Sequence, residues 1–174
     1  RSGGGRSRMQ LLALDVTDSE QISKAVAGLA GQPLNLLINN AGLFLDNPFV
    51  GDPDPDWLSV VESAHWLTAF RVNTVAPFMM TRALRVNLKA ADHGTVVMIS
   101  AMMGSLTNNQ SGGAYCYRSS KAALNAVTVS LATDLAVDGT RVVALHPGWL
   151  QTDMGGDDAL VDTRTSAKGL RTVM

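Results

Sequence analysis

The chain has 174 residues and is 46% hydrophobic, enough apolar content for one domain to bury a core, since domains run to about 100–150 residues. Its 14 basic and 15 acidic side chains nearly cancel, so no strong field exists to attract nucleic acid or an anionic membrane. Charged and polar residues interrupt each apolar stretch well short of the ~18 residues of a membrane span, no leader pattern opens the chain, and the single cysteine, Cys116, forms no internal disulfide, so a reducing, cytoplasmic setting is expected.

Residues 1–8 (RSGGGRSR) are glycine-rich and basic. A phosphate-binding glycine loop needs a strand before it and a helix after it; these residues have neither and read as a flexible lead-in to a single domain over residues 9–174. Residues 9–14 (MQLLAL) form a short apolar run that suits a buried strand. Asp18 then opens a helix as its N-cap, with Glu20 in the first turn and Gly31 as the stop. A second strand is predicted over residues 34–38 (LNLLI), ending in Asn39, Asn40, Ala41 and Gly42.

Prolines and aspartates mark residues 43–55 as a loop, and apolar positions recurring at three and four predict a helix over residues 56–86. Residues 94–100 (GTVVMIS) read as a strand buried on both faces, residues 107–113 as a polar loop, residues 114–137 as a long helix, and residues 141–145 (RVVAL) as a further strand. After Thr152 the pattern allows at most one short helix, near the end of the chain. Alternating helices and wholly apolar strands predict an α/β domain with a doubly wound parallel sheet, whose ligands bind at the carboxyl ends of the strands.

Tyr117 and Lys121 lie four residues apart on the long helix, so both leave the same face. A phenol with a pKa near ~10 is a poor acid or base at neutral pH, and an ammonium held beside it favours the phenolate and lowers that value. The pair can then move a proton to or from a substrate oxygen. By spacing alone it is also what a tyrosine beside a solvated lysine looks like. His65, His93 and His146 lack the spacing of metal ligands, and Cys116 reads as a small buried thiol.

The order of several motifs resembles the short-chain dehydrogenase/reductase superfamily. These are Asp15-Val16-Thr17-Asp18, Asn39-Asn40-Ala41-Gly42, Asn73 in FRVNTVAP, Ser100 at a strand end, Tyr117-Arg118-Ser119-Ser120-Lys121, and Pro147-Gly148 followed by Thr152. The strings SGGAYCYRSSKAALN and LHPGWLQTDMGG look most like the sniffer/C-factor-like carbonyl reductase branch. The resemblance implies a Rossmann-like fold and a reaction with NADP or NAD on a small carbonyl or alcohol substrate. It implies Tyr117 as general acid/base, Lys121 on the nicotinamide ribose, and Asn73 holding a water that links Lys121 to solvent.

It also implies Asp15 and Val16 beside the adenine, and Asn40, Ala41 and Gly42 under the adenosine half. Pro147 and Gly148 would lie beneath the nicotinamide, with Thr152 on its carboxamide, and helix faces would pair in a homodimer. Trp149 is the tryptophan expected nearest the substrate.

Two departures stand out. The serine that polarises the substrate oxygen is usually the second of a Ser-Ser pair, but here the pair reads Ser100-Ala101. Ser100 is the nearest replacement, with Ser105 behind it, and a one-residue shift on an extended strand turns a side chain to the opposite face.

The family's first two strands and its TGxxxGxG turn match nothing in this sequence, and the chain stops before the last strand. In the family order 3-2-1-4-5-6-7 this leaves a gap between residues 9–14 and residues 34–38. The sheet is therefore expected to be incomplete at its N-terminal half and at its last strand. The departures leave a second expectation open: a catalytically silent relative, a truncated or splice form acting as an interaction subunit.

Overall fold

The computed structural model describes residues 9–46, 56, 58–59 and 61–174. Its sheet has three parallel strands, β1 (Leu36–Asn39), β2 (Thr95–Ile99) and β3 (Arg141–Leu145), in the order β1-β2-β3. The register aligns Leu37 with Val96 and Val142, and Asn39 with Met98 and Ala144. Side chains alternate across a strand, so Leu37, Val96, Met98 and Val142 share one face.

That face is the core. The helices α1 (Ser19–Gly28), α3 (Ala76–Ala83), α4 (Arg85–Lys89) and α5 (Tyr115–Leu135) supply its other half. Leu88 of α4 and Leu124, Leu131 and Leu135 of α5 pack on Val96, Met98 and Val142, with Val26 of α1 and Met80 of α3 at the margin. The spacing of Leu124, Leu131 and Leu135 follows the helical repeat, which keeps one stripe of α5 on the sheet. Across the sheet, Leu36 and Ile38 remain 39% and 43% exposed.

Two of the helices start at a local side-chain cap. The Asp18 carboxylate accepts from the Glu20 and Gln21 N–H groups and caps α1 as expected. Asp162 caps α6 (Thr163–Val173), the one helix near the end of the chain, through the Thr165 N–H. The turn after α5 is fastened to α4 by Asp138, whose carboxylate meets Arg85 Nε at 2.6 Å and Lys89 Nζ at 2.9 Å.

Two sequence expectations are corrected. Residues 9–14 form no strand, and Met9 and Leu11 are 82% and 83% exposed; no strand of the sheet offers them a ladder, and an extended run without one leaves its backbone groups to water. The single helix expected over residues 56–86 is several pieces. Its start falls partly outside the described residues, α2 covers Ser63–Phe70, a wider π turn covers Arg71–Val75, and Leu84 breaks the path between α3 and α4 with φ −94° and ψ 5°. The lead-in at residues 1–8 and residues 47–55 of the expected loop also lie outside the described residues. No described helix is long and apolar enough to cross a membrane.

Two glycines test the packing. A Cβ at Gly94 would sit 2.4 Å from the Leu88 carbonyl oxygen, whereas one at Gly28 on α1 meets nothing within 4 Å. Gly94→Ala is therefore expected to lower stability by about 1–3 kcal/mol through overpacking, and Gly28→Ala to raise it by about 0.5–1 kcal/mol by removing unfolded-state freedom. Urea unfolding of both variants checks the pair, and an unchanged midpoint for Gly94→Ala would refute the close approach of α4 to β2.

Candidate active site

The carboxyl ends of β1 and β2 and the first turns of α5 converge on one place. Lys121 Nζ reaches back under α5 to donate to the Ile99 carbonyl oxygen at 2.8 Å, at the end of β2, and lies 5.6 Å from the centre of the Tyr117 ring. Lys121 is 3% exposed. Burial disfavours its charged form and lowers its pKa to about 8. The same burial pushes the Tyr117 phenol above its ordinary value, which corrects the expected lowering by the neighbouring ammonium: desolvation of the phenolate sets the direction.

Asn73 lies on the neighbouring π turn and is fully buried. Its Oδ1 accepts from the Leu43 N–H at 2.7 Å, and its Nδ2 donates to the Leu43 carbonyl at 2.8 Å and to Ser120 Oγ at 3.0 Å. The amide thus holds the loop after β1 against α5. Between them lies Gly42: a Cβ there would stand 3.4 Å from Asn73 Oδ1 and 3.6 Å from Lys121 Nζ. Four expected residues, Gly42, Asn73, Tyr117 and Lys121, are therefore brought together, with Asn40 and Ala41 in the irregular stretch that leads in.

Ser100 stands apart from them. Its position continues the side of β2 that carries Val96 and Met98, and its hydroxyl donates to Asn125 Oδ1 on α5 at 2.7 Å. Asn125 Nδ2 in turn donates to the Gly104 carbonyl at 3.3 Å. Ala101 begins the tight turn Met102–Gly104, and Ser105 closes it, its hydroxyl accepting from the Asn108 N–H at 3.3 Å. Gly104 is needed because a Cβ would lie 2.9–3.0 Å from the backbone and side chain of Lys121.

Beyond β3, His146 Nδ1 accepts from the Met102 N–H at 3.3 Å, and the Pro147 carbonyl accepts from Ser166 Oγ of α6 at 2.6 Å. Gly148 has φ +93°, a conformation that favours glycine. Thr152 sits in the following turn, where its hydroxyl accepts from the Gly155 N–H at 3.2 Å, and Trp149 Nε1 donates to the Gly155 carbonyl at 2.8 Å. At the other end, the Asp15 carboxylate is occupied by the N–H and hydroxyl of Thr17, both at 2.8 Å, which hold it below the usual carboxylate range. Val16 is half-buried in that turn.

Sequence reasoning missed three contributors. Phe44 packs its ring 5.1 Å from that of Tyr117. Asp46 accepts from the Cys116 and Tyr117 N–H groups at 2.9 and 2.8 Å. Asn125 could have been found, since it continues the spacing of Tyr117 and Lys121 by four and shares their face; Phe44 and Asp46 carry no local signal.

A nicotinamide ribose fits the donor set. The ammonium of Lys121 carries three N–H groups, one of which is given to Ile99, and Gly42 keeps the space beside it free of a Cβ. Among the described residues no strand, glycine loop and helix converge to cradle a pyrophosphate, so the fit concerns the nicotinamide half.

Comparison with known proteins gives the family. Residues 3–160 match the short chain dehydrogenase family. The C-signal protein of Myxococcus xanthus is 40% identical over 142 residues, which span 82% of this chain and 81% of that protein. The carbonyl reductase Sniffer of D. melanogaster superimposes with a TM-score of 0.82 at 34% identity, over 92% of this chain and 68% of that one. The NADPH-bound carbonyl reductase from chicken fatty liver gives 0.80 at 34% identity, over 92% and 67%. The chain belongs to the short-chain dehydrogenase family of NAD(P)-dependent oxidoreductases, in its sniffer/C-factor-like branch.

Proposed function

We propose that this chain carries the proton-transfer half of an NADPH- or NADH-dependent carbonyl reductase acting on a small carbonyl compound. The observation that carries the reading is the buried Lys121 amine, one turn from Tyr117 and held against the end of β2. Similarity to the Sniffer and chicken carbonyl reductases supports the substrate class. Exposed Leu67 on α2 and Val129 on α5 support a homodimer built on these helix faces.

A bound nicotinamide would supply the hydride, with Lys121 on its ribose, Gly42 beside it and Pro147, Gly148 and Thr152 around the ring. The chain's own work is on the proton. Near neutral pH Tyr117 is a phenol and Lys121 an ammonium, the forms needed to protonate a carbonyl oxygen as it becomes an alkoxide. The adjacent positive charge then stabilises the phenolate left on Tyr117. Asn73 keeps the Leu43 loop and α5 together, which fixes Lys121 relative to Gly42.

A second reading, a catalytically silent relative serving as an interaction subunit, is favoured by one observation: the Ser100 hydroxyl is committed to Asn125, and position 101 carries no hydroxyl. Fluorescence titration with NADPH and NADH separates the two, because the absence of binding at millimolar cofactor would sink the reductase reading for this chain.

Three outcomes follow from the reductase reading. Tyr117→Phe should remove nearly all turnover while leaving the cofactor Kd within about twofold; unchanged turnover would refute the mechanism. For pH, the required ammonium of Lys121 is present below about 8 and is lost as pH rises through it. Since kcat/KM reports free-enzyme ionisations, its value for reduction should be level below that pH and fall above it, and a flat profile to pH 9.5 would remove Lys121 from the mechanism. Ala101→Ser should raise kcat by about 100-fold if an oxyanion donor is lacking, whereas an unchanged kcat would mean that another donor already serves.

A further inference from the structure

The feature left over by the reductase reading is Asp46, a buried carboxylate outside every motif found in the sequence. The first N–H groups of an α-helix have no partner within the helix, and the residue before α5 is normally the one that satisfies them. Here that residue is Ala114, which has no side-chain acceptor and sits in a left-handed conformation with φ +46°. Gly112 and Gly113 before it are also left-handed, with φ +64° and +65°. This turn brings the Cys116 and Tyr117 N–H groups onto the two oxygens of Asp46, seventy residues earlier in the chain, at 2.9 and 2.8 Å. An acidic group is also favoured there by the positive end of the helix dipole.

Between Asp46 and Gly42 the chain makes two further attachments to α5 and its neighbour. Leu43 is clamped by Asn73, and Phe44 lies against the Tyr117 ring. Asp46 closes this segment on the backbone of the tyrosine itself.

We propose that Asp46 is a positioning residue for Tyr117: by bonding the Cys116 and Tyr117 N–H groups it locks the first turn of α5 to the loop after β1, and so fixes where the phenol stands relative to Lys121 and Gly42. Its effect on turnover rests on the reductase reading; its effect on the tyrosine does not.

The test uses Asp46→Asn and Asp46→Ala in a Tyr115→Phe background, where Tyr117 is the one remaining tyrosine of the two in the chain. Amide exchange at Cys116 and Tyr117 is followed by NMR, and the phenol is titrated by its absorbance near ~295 nm. Loss of a charge-assisted bond corresponds to roughly tenfold or faster exchange at these two amides. The wild-type phenol titrates above its ordinary value because it is buried, and in Asp46→Ala it should move back down toward ~10. Asp46→Asn keeps one acceptor oxygen and should fall between wild type and Asp46→Ala; it also carries the test if Asp46→Ala does not fold.

Cys116 gives an independent signal, since its thiol is pushed up to about 11 by burial and then by Asp46; removing the carboxylate should speed its reaction with a disulfide reagent. If the wild-type chain turns over, kcat should fall at least tenfold in Asp46→Ala with the NADPH Kd unchanged. The proposal is overturned if amide exchange or the tyrosine titration matches wild type. A wild-type chain that binds no cofactor defeats the reductase reading and leaves those two measurements to decide the role of Asp46.

Discussion

The buried side-chain amide of Asn73 is the joint on which the site depends. Its two polar atoms meet both backbone groups of Leu43 and the hydroxyl of Ser120. It therefore connects the loop leaving β1, the helix stack after it and α5, three segments far apart in sequence. A buried primary amide left unpaired costs about 1–3 kcal/mol, so the surrounding backbone is arranged to satisfy it. The π turn at Arg71–Val75 surrounds this residue; such turns are often found inside helices at functional positions. Thr74 on the same turn donates to the Ser120 carbonyl at 2.8 Å and adds a second tie to α5.

With that joint in place, the tight contacts elsewhere fall into register. Gly42 lies beside Asn73 and Lys121, and Gly104 can press on α5 at Lys121 because it has no Cβ. The lysine is enclosed from both sides, which is the source of its lowered pKa. A larger residue at Gly104 would push on the backbone of α5 at Lys121. Burial of Lys121 is thus a property of two loops and a helix together and belongs to no single element.

Much of this was legible in the sequence where the signal is local. The apolar runs at residues 94–100 and 141–145 became β2 and β3, and the helix holding Tyr117 and Lys121 is α5 over Tyr115–Leu135. The same local logic failed at residues 9–14, where composition suits a strand but none of the described strands pairs with it. Periodicity also could not reveal the π turn, because its five residues are short beside the window over which a helical pattern is read. Phe44 and Asp46 were illegible for a stronger reason. Their roles exist only once the loop after β1 meets a helix that begins some seventy residues later, and nothing in their neighbours encodes that meeting.

Ser100 and Ala101 show how far parity along a strand can decide chemistry. Ser100 continues the side of β2 that carries Val96 and Met98, the side covered by α5, and its hydroxyl accordingly meets Asn125 there. That bond is shared with a second one, from Asn125 to the Gly104 carbonyl, so it helps set the turn that presses on Lys121. Turning the hydroxyl toward a substrate would break the first bond at a net cost of about 1 kcal/mol and unseat the second. A serine at this position therefore serves the placement of Lys121 more readily than it serves a substrate oxygen, and a hydroxyl on the opposite side of the strand would have to come from position 101.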